Sequence, residues 1–414
     1  MEPTQSHNPV KIYLIADRPL DQRFWSYWIF DLLKEVRCDF EVLQLTYAHD
    51  FLKDAKETSP DNSKNIQFSK FFDEKSVIEF LENKAIRQSL VFFYTWAPPN
   101  AFMNVFSFVD KNFEYYYYLM HGVGDNASDH KFGMGFFEGL LAYYKRIRFI
   151  IGMKRRFRGP RFWLDSTKMR ISAQYPYLGP FGFRTKLLVT GNHFQERFLI
   201  AKKSKQIPDY NKKRKSVLWL DQNLPNVDQF GYKIKLDPEK YYRSLSKIFE
   251  HLIGLGYDVF LTLHPDTRKE DKDILLKEYI KCNVSILDVT SENATINIDL
   301  VLVHDSTASY FGVLANKPIV NLIYRELNDK PMIDSILGLS KLLNTQLIYF
   351  DEFGFDSIDF NQVQVDRKKY KEFSKAFIQG NHKKFPHEYM KSLIKKEIES
   401  LNREQSVVFA PNKV

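Results

Sequence analysis

Short apolar runs recur along this chain, and between most of them lies a stretch with the length and spacing of a helix. Lys11–Ala16 (KIYLIA), Phe40–Thr46, Leu90–Thr95, Tyr115–Met120 and Lys186–Thr190 read as strands in the first half. Gln22–Val36, Phe51–Glu57, Ser76–Asn83, Ala101–Asp110 and His193–Ala201 read as helices. A charged, polar connection follows at Lys202–Lys215 (KKSKQIPDYNKKRK), and then the alternation restarts. Ser216–Leu220 (SVLWL), Asp258–Leu263 (DVFLTL), Val284–Leu287, Ile298–Val303 (IDLVLV), Ile319–Ile323 and Gln346–Phe350 are strand-like. Helices are expected at Pro238–Leu255, Lys269–Ile280 and Thr307–Ala315, and the polar tail Asp366–Asn402 also reads as helical. Strands that alternate with helices build parallel βαβ units, and continuous apolar runs mark strands buried on both faces. No fixed-period repeat occurs, which excludes a solenoid. At ~100–200 residues per domain, the expectation is an α/β chain of two parallel-sheet domains, 1–202 and 203–365, with a helical tail at 366–414.

Composition narrows the class. With 44% hydrophobic residues and 17 each of Gly and Pro in 414 residues, the chain is neither disordered nor collagen-like. Cys38 and Cys282 alone give no disulfide framework, so a reducing compartment is expected. The first residues lack a basic stretch followed by an apolar core, and no apolar run approaches the ~18 residues that span a bilayer. The net charge of +9 has a location. No acidic residue stands between Glu138 and Asp165, while Lys145, Arg146, Arg148, Lys154, Arg155, Arg156, Arg158 and Arg161 do. Phe149, Phe157, Phe162 and Trp163 are interleaved with them. This mixture, at about 139–164, fits a segment on an anionic membrane surface, with cations on headgroups and aromatics at the interface. The plainer alternative is a solvated basic helix packed through its Phe and Ile residues. No nucleic-acid-binding signature accompanies the segment, and no nucleic-acid partner is expected.

In open parallel sheets ligands sit beyond the carboxyl ends of the strands. Four places flanking the strands of the second half carry useful side chains. His264-Pro265-Asp266 follows DVFLTL, where His264 would hydrogen-bond a phosphate or stabilise a leaving group. His304-Asp305-Ser306-Thr307-Ala308-Ser309 follows IDLVLV, and Ser306 and Thr307 are helix-capping types whose hydroxyls, with free amides, suit an anion. Asp221-Gln222-Asn223 follows SVLWL, with Asp228 close behind; Asp221 could accept a proton from an acceptor hydroxyl, or simply forms a turn. Lys317-Pro318 leads into IVNLI. In the first half, His121-Gly122-Val123-Gly124-Asp125 follows the Tyr-rich strand; it matches neither a dinucleotide fingerprint nor a P-loop, but His121 or Asp125 could serve as a base. Asp271-Lys272-Asp273 lies in a charged helical stretch and reads as solvated surface rather than a metal site.

The ordered set Asp221-Gln222-Asn223, His264-Pro265, His304 to Ser309 and Asn316-Lys317-Pro318-Ile319 resembles the second domain of bacterial GT-B glycosyltransferases that use CMP-activated acidic sugars. These are the bacterial sialyltransferases and, more distantly, the β-Kdo transferases of capsule and lipopolysaccharide synthesis. The His-Pro and Ser/Thr motifs match well. The acidic motif departs, because Gln222 and Asn223 stand where a second acid and a Gly are expected. The same skeleton is similar to that of glycerophosphotransferases that use CDP-glycerol. The resemblance implies two Rossmann-like domains facing a central cleft and an inverting transfer without a metal or other cofactor. The donor, a CMP-sugar carrying Kdo or sialic acid, would be held by His264, Pro265, Ser306, Thr307, Ser309 and Lys317. His264 would assist the leaving phosphate, and Asp221, Asp228 or Asp125 would act as base. His121 and Gly122 would lie on the acceptor side, facing a glycan or glycolipid. The enzyme would be cytoplasmic, peripheral on the inner face of the plasma membrane. A non-hydrolysing epimerase or a nucleotide-binding protein without catalysis are the competing classes.

Overall fold

The computed structural model describes residues 10–17, 38–47, 66–84, 89–95, 102–119, 162–165, 186–203, 208, 210, 213–225, 234–264, 267, 272–274, 276–277, 284–351, 358–380 and 385–408. The expected helices Gln22–Val36 and Phe51–Glu57, and the cations Lys145–Arg161, lie outside them.

In the first unit, strands β1 (Val10–Ala16), β2 (Cys38–Leu45), β3 (Ile66–Phe71), β4 (Ser89–Thr95), β5 (Glu114–Leu119), β6 (Phe162–Asp165) and β7 (Lys186–Val189) form one sheet. Their order is β3-β2-β1-β4-β5-β6-β7, and every neighbouring pair is parallel. The side chains of β1 alternate between faces, as a strand's period of two requires. Ile12, Leu14 and Ala16 join one core, and Tyr13 and Ile15 join the other. Helices α1 (Glu74–Lys84) and α2 (Met103–Asn112) cover the second face through Val77, Leu81, Val105 and Val109.

The second unit repeats the plan. Strands β8 (Ser216–Leu220), β9 (Asp258–Thr262), β10 (Ser285–Ile286), β11 (Leu300–Val303), β12 (Ile319–Ile323) and β13 (Gln346–Tyr349) pair in parallel in the order β10-β9-β8-β11-β12-β13. The central strands β8, β11 and β12 are buried at every position, whereas the edge strand β13 is exposed at Gln346 and Tyr349. Burial on both faces thus explains why these central strands read as continuous apolar runs in the sequence. The helices are α3 (Phe194–Lys203), α4 (Pro238–Gly254), α5 (Ser291–Thr295), α6 (Ser309–Leu314), α7 (Lys330–Leu343) and α8 (Arg367–Phe373). α4 is the main one on this sheet. Asp237 caps it by accepting from the N–H groups of Glu239 and Lys240, and Pro238 fits its first turn. Its buried stripe of Tyr241, Tyr242, Leu245, Ile248, Phe249 and Leu252 has helical spacing and enters the core with Val217, Trp219 and Leu261.

The structure departs from the sequence reading in several places. The chain passes from the first unit to the second at His193–Phe194 and returns at Gln379–Gly380, not at 202/203 and 365/366. α3 belongs to the second unit because Arg197 forks onto Glu292 of α5 with three contacts of 2.8–3.0 Å. The segment read as a linker is docked there too: Tyr210 is buried and donates to the Ala294 carbonyl at 2.5 Å, and Arg214 pairs with Asp258 at 3.0 Å. The tail is more than a polar helix. Its last element, α9 (Pro386–Val408), sends Met390, Ile394 and Ile398 into the core of the first sheet, and Tyr116 donates to the buried Glu397 at 2.7 Å. Strands β3 and β6 and helices α5 and α7 were not expected. β6 holds Phe162 and Trp163, hydrogen-bonded between β5 and β7, so these two residues are sheet backbone rather than part of a surface helix. Among the described residues no helix is long and apolar enough to cross a membrane.

Candidate functional site

The second sheet reverses its winding once, between β8 and β11. At such a switch point the loops leave the carboxyl edge in opposite directions and open a crevice. The loops here are the ones singled out in the sequence: Asp221-Gln222-Asn223 after β8 and His304 to Ala308 after β11. A two-point clasp joins them. Gln222 Nε2 donates to Asp305 Oδ1 at 2.7 Å, and the Asp305 N–H donates to Gln222 Oε1 at 2.9 Å. The side chain of Gln222 therefore pairs with residue 305 much as a further strand residue would.

Asp221 lies one residue beyond β8. Its N–H donates to the Thr262 carbonyl at 3.2 Å, which extends the ladder to β9. Its carboxyl is only 4% exposed, and burial pushes it up to about 6. The N–H groups of Asn223, His264 and Gln222 work against that rise, the His264 contact to Oδ2 being long at 3.5 Å. Asn223 holds a left-handed backbone with φ of 52°, a conformation Asn tolerates better than most residues, and this turn aims its N–H inward. Asp221 Oδ2 thus reaches toward the loop after β9, while Oδ1 is buried with no hydrogen-bond partner among the described residues. His264 is half-buried, and its carbonyl accepts from the Thr267 N–H at 2.9 Å, closing the turn that follows β9.

Below the loop after β11, His304 is fully buried. Its Nδ1 lies 2.6 Å from the Leu322 carbonyl and its Nε2 lies 2.6 Å from the Tyr241 hydroxyl. A carbonyl only accepts, so Nδ1 carries the proton and Nε2 accepts from the tyrosine. Burial holds the imidazole down to about 4, countered in part by the Leu322 bond, so the ring is neutral at physiological pH. Trp219 packs edge-on to this ring at 4.9 Å, and Asn321 Nδ2 donates to the His304 carbonyl at 2.7 Å. His304 is therefore a supporting residue and does not face a ligand.

Ser306 and Thr307 are half-buried above it. The Ala308 N–H reaches Ser306 Oγ at 3.2 Å, and turn bonds from Ser309 and Tyr310 to the carbonyls of Ser306 and Thr307 start α6, two residues later than expected. Ser309 is fully buried in the first turn of α6. Two longer helices on this sheet begin with their own aspartates: Asp237 caps α4, and Asp329 caps α7 by accepting from the Met332 N–H at 2.9 Å. These two starts hold their own carboxylates, whereas among the described residues no side chain caps α6 from Ala308, and Ser306 Oγ accepts from the Ala308 N–H.

The structure brings Asp221, His264, Ser306 and Thr307 to one edge of the second sheet. It does not bring Lys317 there. Lys317 precedes β12 and so lies at the amino edge, about 16 Å away along a five-residue strand. Burial lowers the ammonium pKa of Lys317, Asp299 opposes that shift, and Asp299 in turn binds Ser216 at the start of β8. His121, Gly122, Asp125, Asp228 and Pro265 lie outside the described residues. Among the described residues no three His, Cys, Asp or Glu side chains gather as a metal site. Sequence reading missed the clasp and the Tyr241–His304 bond. Gln222 was noticed only as a departure from an acidic motif, and nothing in linear order pairs it with residue 305.

No family model and no characterised protein matches the chain in sequence. Solved structures do match in fold. TcCGT1 in complex with UDP is similar at 10% identity and a TM-score of 0.51, over 95% of this chain and 100% of that one. The wall teichoic acid polymerase TagF, in a CDPG-soaked variant, is similar at 13% identity and a TM-score of 0.50, over 95% of this chain and 90% of that one. The likeness is one of architecture: two parallel-sheet, Rossmann-like domains of the GT-B fold.

Proposed function

We propose that the chain is an inverting, metal-independent glycosyltransferase that uses a nucleotide-activated donor bound at the carboxyl edge of the second sheet. The observation that carries this reading is the meeting of the loops after β8, β9 and β11 at the switch point, with the hydroxyls of Ser306 and Thr307 above a rigid, neutral support. A single-displacement transfer fits these parts. The acceptor oxygen attacks the anomeric carbon, the bond from that carbon to the donor phosphate breaks, and its electron pair leaves with the nucleotide. Ser306 and Thr307 hold the phosphate, and His264 donates to its oxygen as charge develops there. The acceptor's proton goes to a carboxylate. The burial of Asp221 favours Asp228 or Asp125 for that role.

The motif resemblance supports a CMP-sugar donor carrying an acidic sugar such as Kdo or sialic acid. The acceptor would be a glycan or glycolipid of a bacterial surface polysaccharide, and Lys145–Arg161 would hold the protein peripherally on an anionic membrane. The likeness in fold to TagF with CDPG favours CDP-glycerol as the second donor reading. A thermal-shift and calorimetric panel of CMP, CDP-glycerol, UDP, GDP and dTDP tests both, since a ligand that binds only the folded state raises the melting temperature. CMP should shift the transition most. A shift with CDP-glycerol alone selects the second reading, and a flat response to all five overturns the donor site.

A further inference from the structure

We infer that Tyr241 and His304 are a positioning pair that presets the Asp305–Thr307 loop before any ligand arrives, an inference that rests, for its purpose, on the donor-site reading above. The loop starts from a residue with no freedom left. The ring of His304 is bonded at both nitrogens, its carbonyl is held by Asn321, and its face is set by Trp219. The next residue, Asp305, is pinned through its N–H and its carboxylate by Gln222. α4, β12 and the loop after β8 therefore all converge on two consecutive residues, and Ser306 and Thr307 follow directly.

Within this set Tyr241 has a distinct task. A neutral imidazole needs one acceptor and one donor. Leu322 supplies the first, and the Tyr241 hydroxyl is the donor placed at Nε2. Both partners together admit one tautomer and one ring orientation. Tyr241 itself is fully buried, packed against Tyr324 at 5.4 Å and Phe350 at 5.6 Å, so its hydroxyl is held in place by carbon packing rather than by solvent. Removing the hydroxyl leaves a buried nitrogen lone pair without its donor and frees the ring to rotate. A site whose support is fixed in this way spares the ligand the cost of ordering the loop.

The test compares Tyr241→Phe with Tyr257→Phe. Tyr257 loses a bond of similar geometry, 2.8 Å to Asn361, beyond the amino edge of the same sheet. Hydrogen exchange at the amides of residues 305–310 should quicken about tenfold in Tyr241→Phe, and stay at the wild-type rate in Tyr257→Phe. The CMP dissociation constant should rise by a similar factor in the first variant alone. Unchanged exchange in Tyr241→Phe overturns the positioning pair, whatever the nucleotide does. Quickened exchange in a protein that binds neither CMP nor CDP-glycerol keeps the pair and overturns the donor reading. Should Tyr241→Phe fail to fold, the wild type still decides: ¹⁵N spectra must show His304 as the Nδ1–H tautomer at pH 7, and an Nε2–H ring sinks the inference.

Discussion

Replacing Asp221 by Asn should stabilise the second unit at neutral pH, and the gain should vanish in acid. The carboxyl titrates near 3.8 when the chain is unfolded and near 6 when folded, because burial penalises the ion. A raised folded pKa means that the native state holds the proton more tightly. Its contribution is complete below about 3.8 and is lost as pH rises through 6. Two pKa units correspond to about 3 kcal/mol, so ionised Asp221 weakens the unit by up to that amount at pH 7.5. Asn keeps the shape and an acceptor oxygen for the N–H groups of Asn223, His264 and Gln222, and carries no charge. His304 has the opposite slope. Its folded pKa of about 4 lies below the ordinary 6.5, so its contribution is intact above 6.5 and falls as pH drops toward 4. Between pH 4 and 6 the two slopes oppose, and the wild type should look nearly flat. Asp221→Asn removes one of them. Hydrogen exchange of the β8 and β9 core amides reads this unit alone. The variant should exceed wild type by about 1–3 kcal/mol at pH 7.5, with the difference gone near pH 4. A difference that is independent of pH, or that grows in acid, refutes the assignment of a buried, largely desolvated carboxylate.

The remaining predictions concern activity, binding and the packing of α9. His264→Ala should reduce turnover by about 10²–10⁴-fold with the fold intact, and normal activity removes His264 from the mechanism. The double variant Ser306→Ala, Thr307→Ala should weaken CMP binding; an unchanged affinity, with stability lower by about 1 kcal/mol, assigns both residues to the turn alone. Tyr116→Phe leaves the buried carboxylate of Glu397 without this donor and should destabilise α9 by about 1–3 kcal/mol, read as faster exchange over residues 386–398. Replacing Lys154, Arg155, Arg156 and Arg158 by Gln should reduce sedimentation with anionic vesicles, since each cation near such a surface contributes about 1 kcal/mol; wild type that ignores these vesicles at low salt ends the membrane reading.

Much of this protein was determined by local sequence. SVLWL, LVLV and IVNLI are apolar at nearly every position because strands at the centre of a parallel sheet are covered on both faces, and so they announce themselves. The same rule marks the chemistry: residues that follow such strands stand at the carboxyl edge, which is how Asp221, His264, Ser306 and Thr307 could be named before any coordinates. Mixed or short strands announce themselves less. IQFSKF mixes polar with apolar residues and exposes Gln67 and Lys70, and β3 was missed; the four-residue β6, between β5 and β7, was missed inside a stretch read as helical. α7 also carried its own marks, Asp329 as cap, Pro331 in its first turn and Asn344 at its end, and these were not read as a helix.

What tertiary structure alone decided are the pairings across long separations. Gln222 meets Asp305, Tyr241 meets His304, and Tyr116 meets Glu397. Each joins residues that are distant in sequence but lie on elements the fold brings side by side. Lys317 illustrates the converse. It stands close to Ser306 along the chain, but α6 intervenes and carries the backbone back to the opposite edge of the sheet. Local pattern reports which residues are buried and where strands end. Which side chains then touch depends on strand order, and strand order is a property of the assembled sheet.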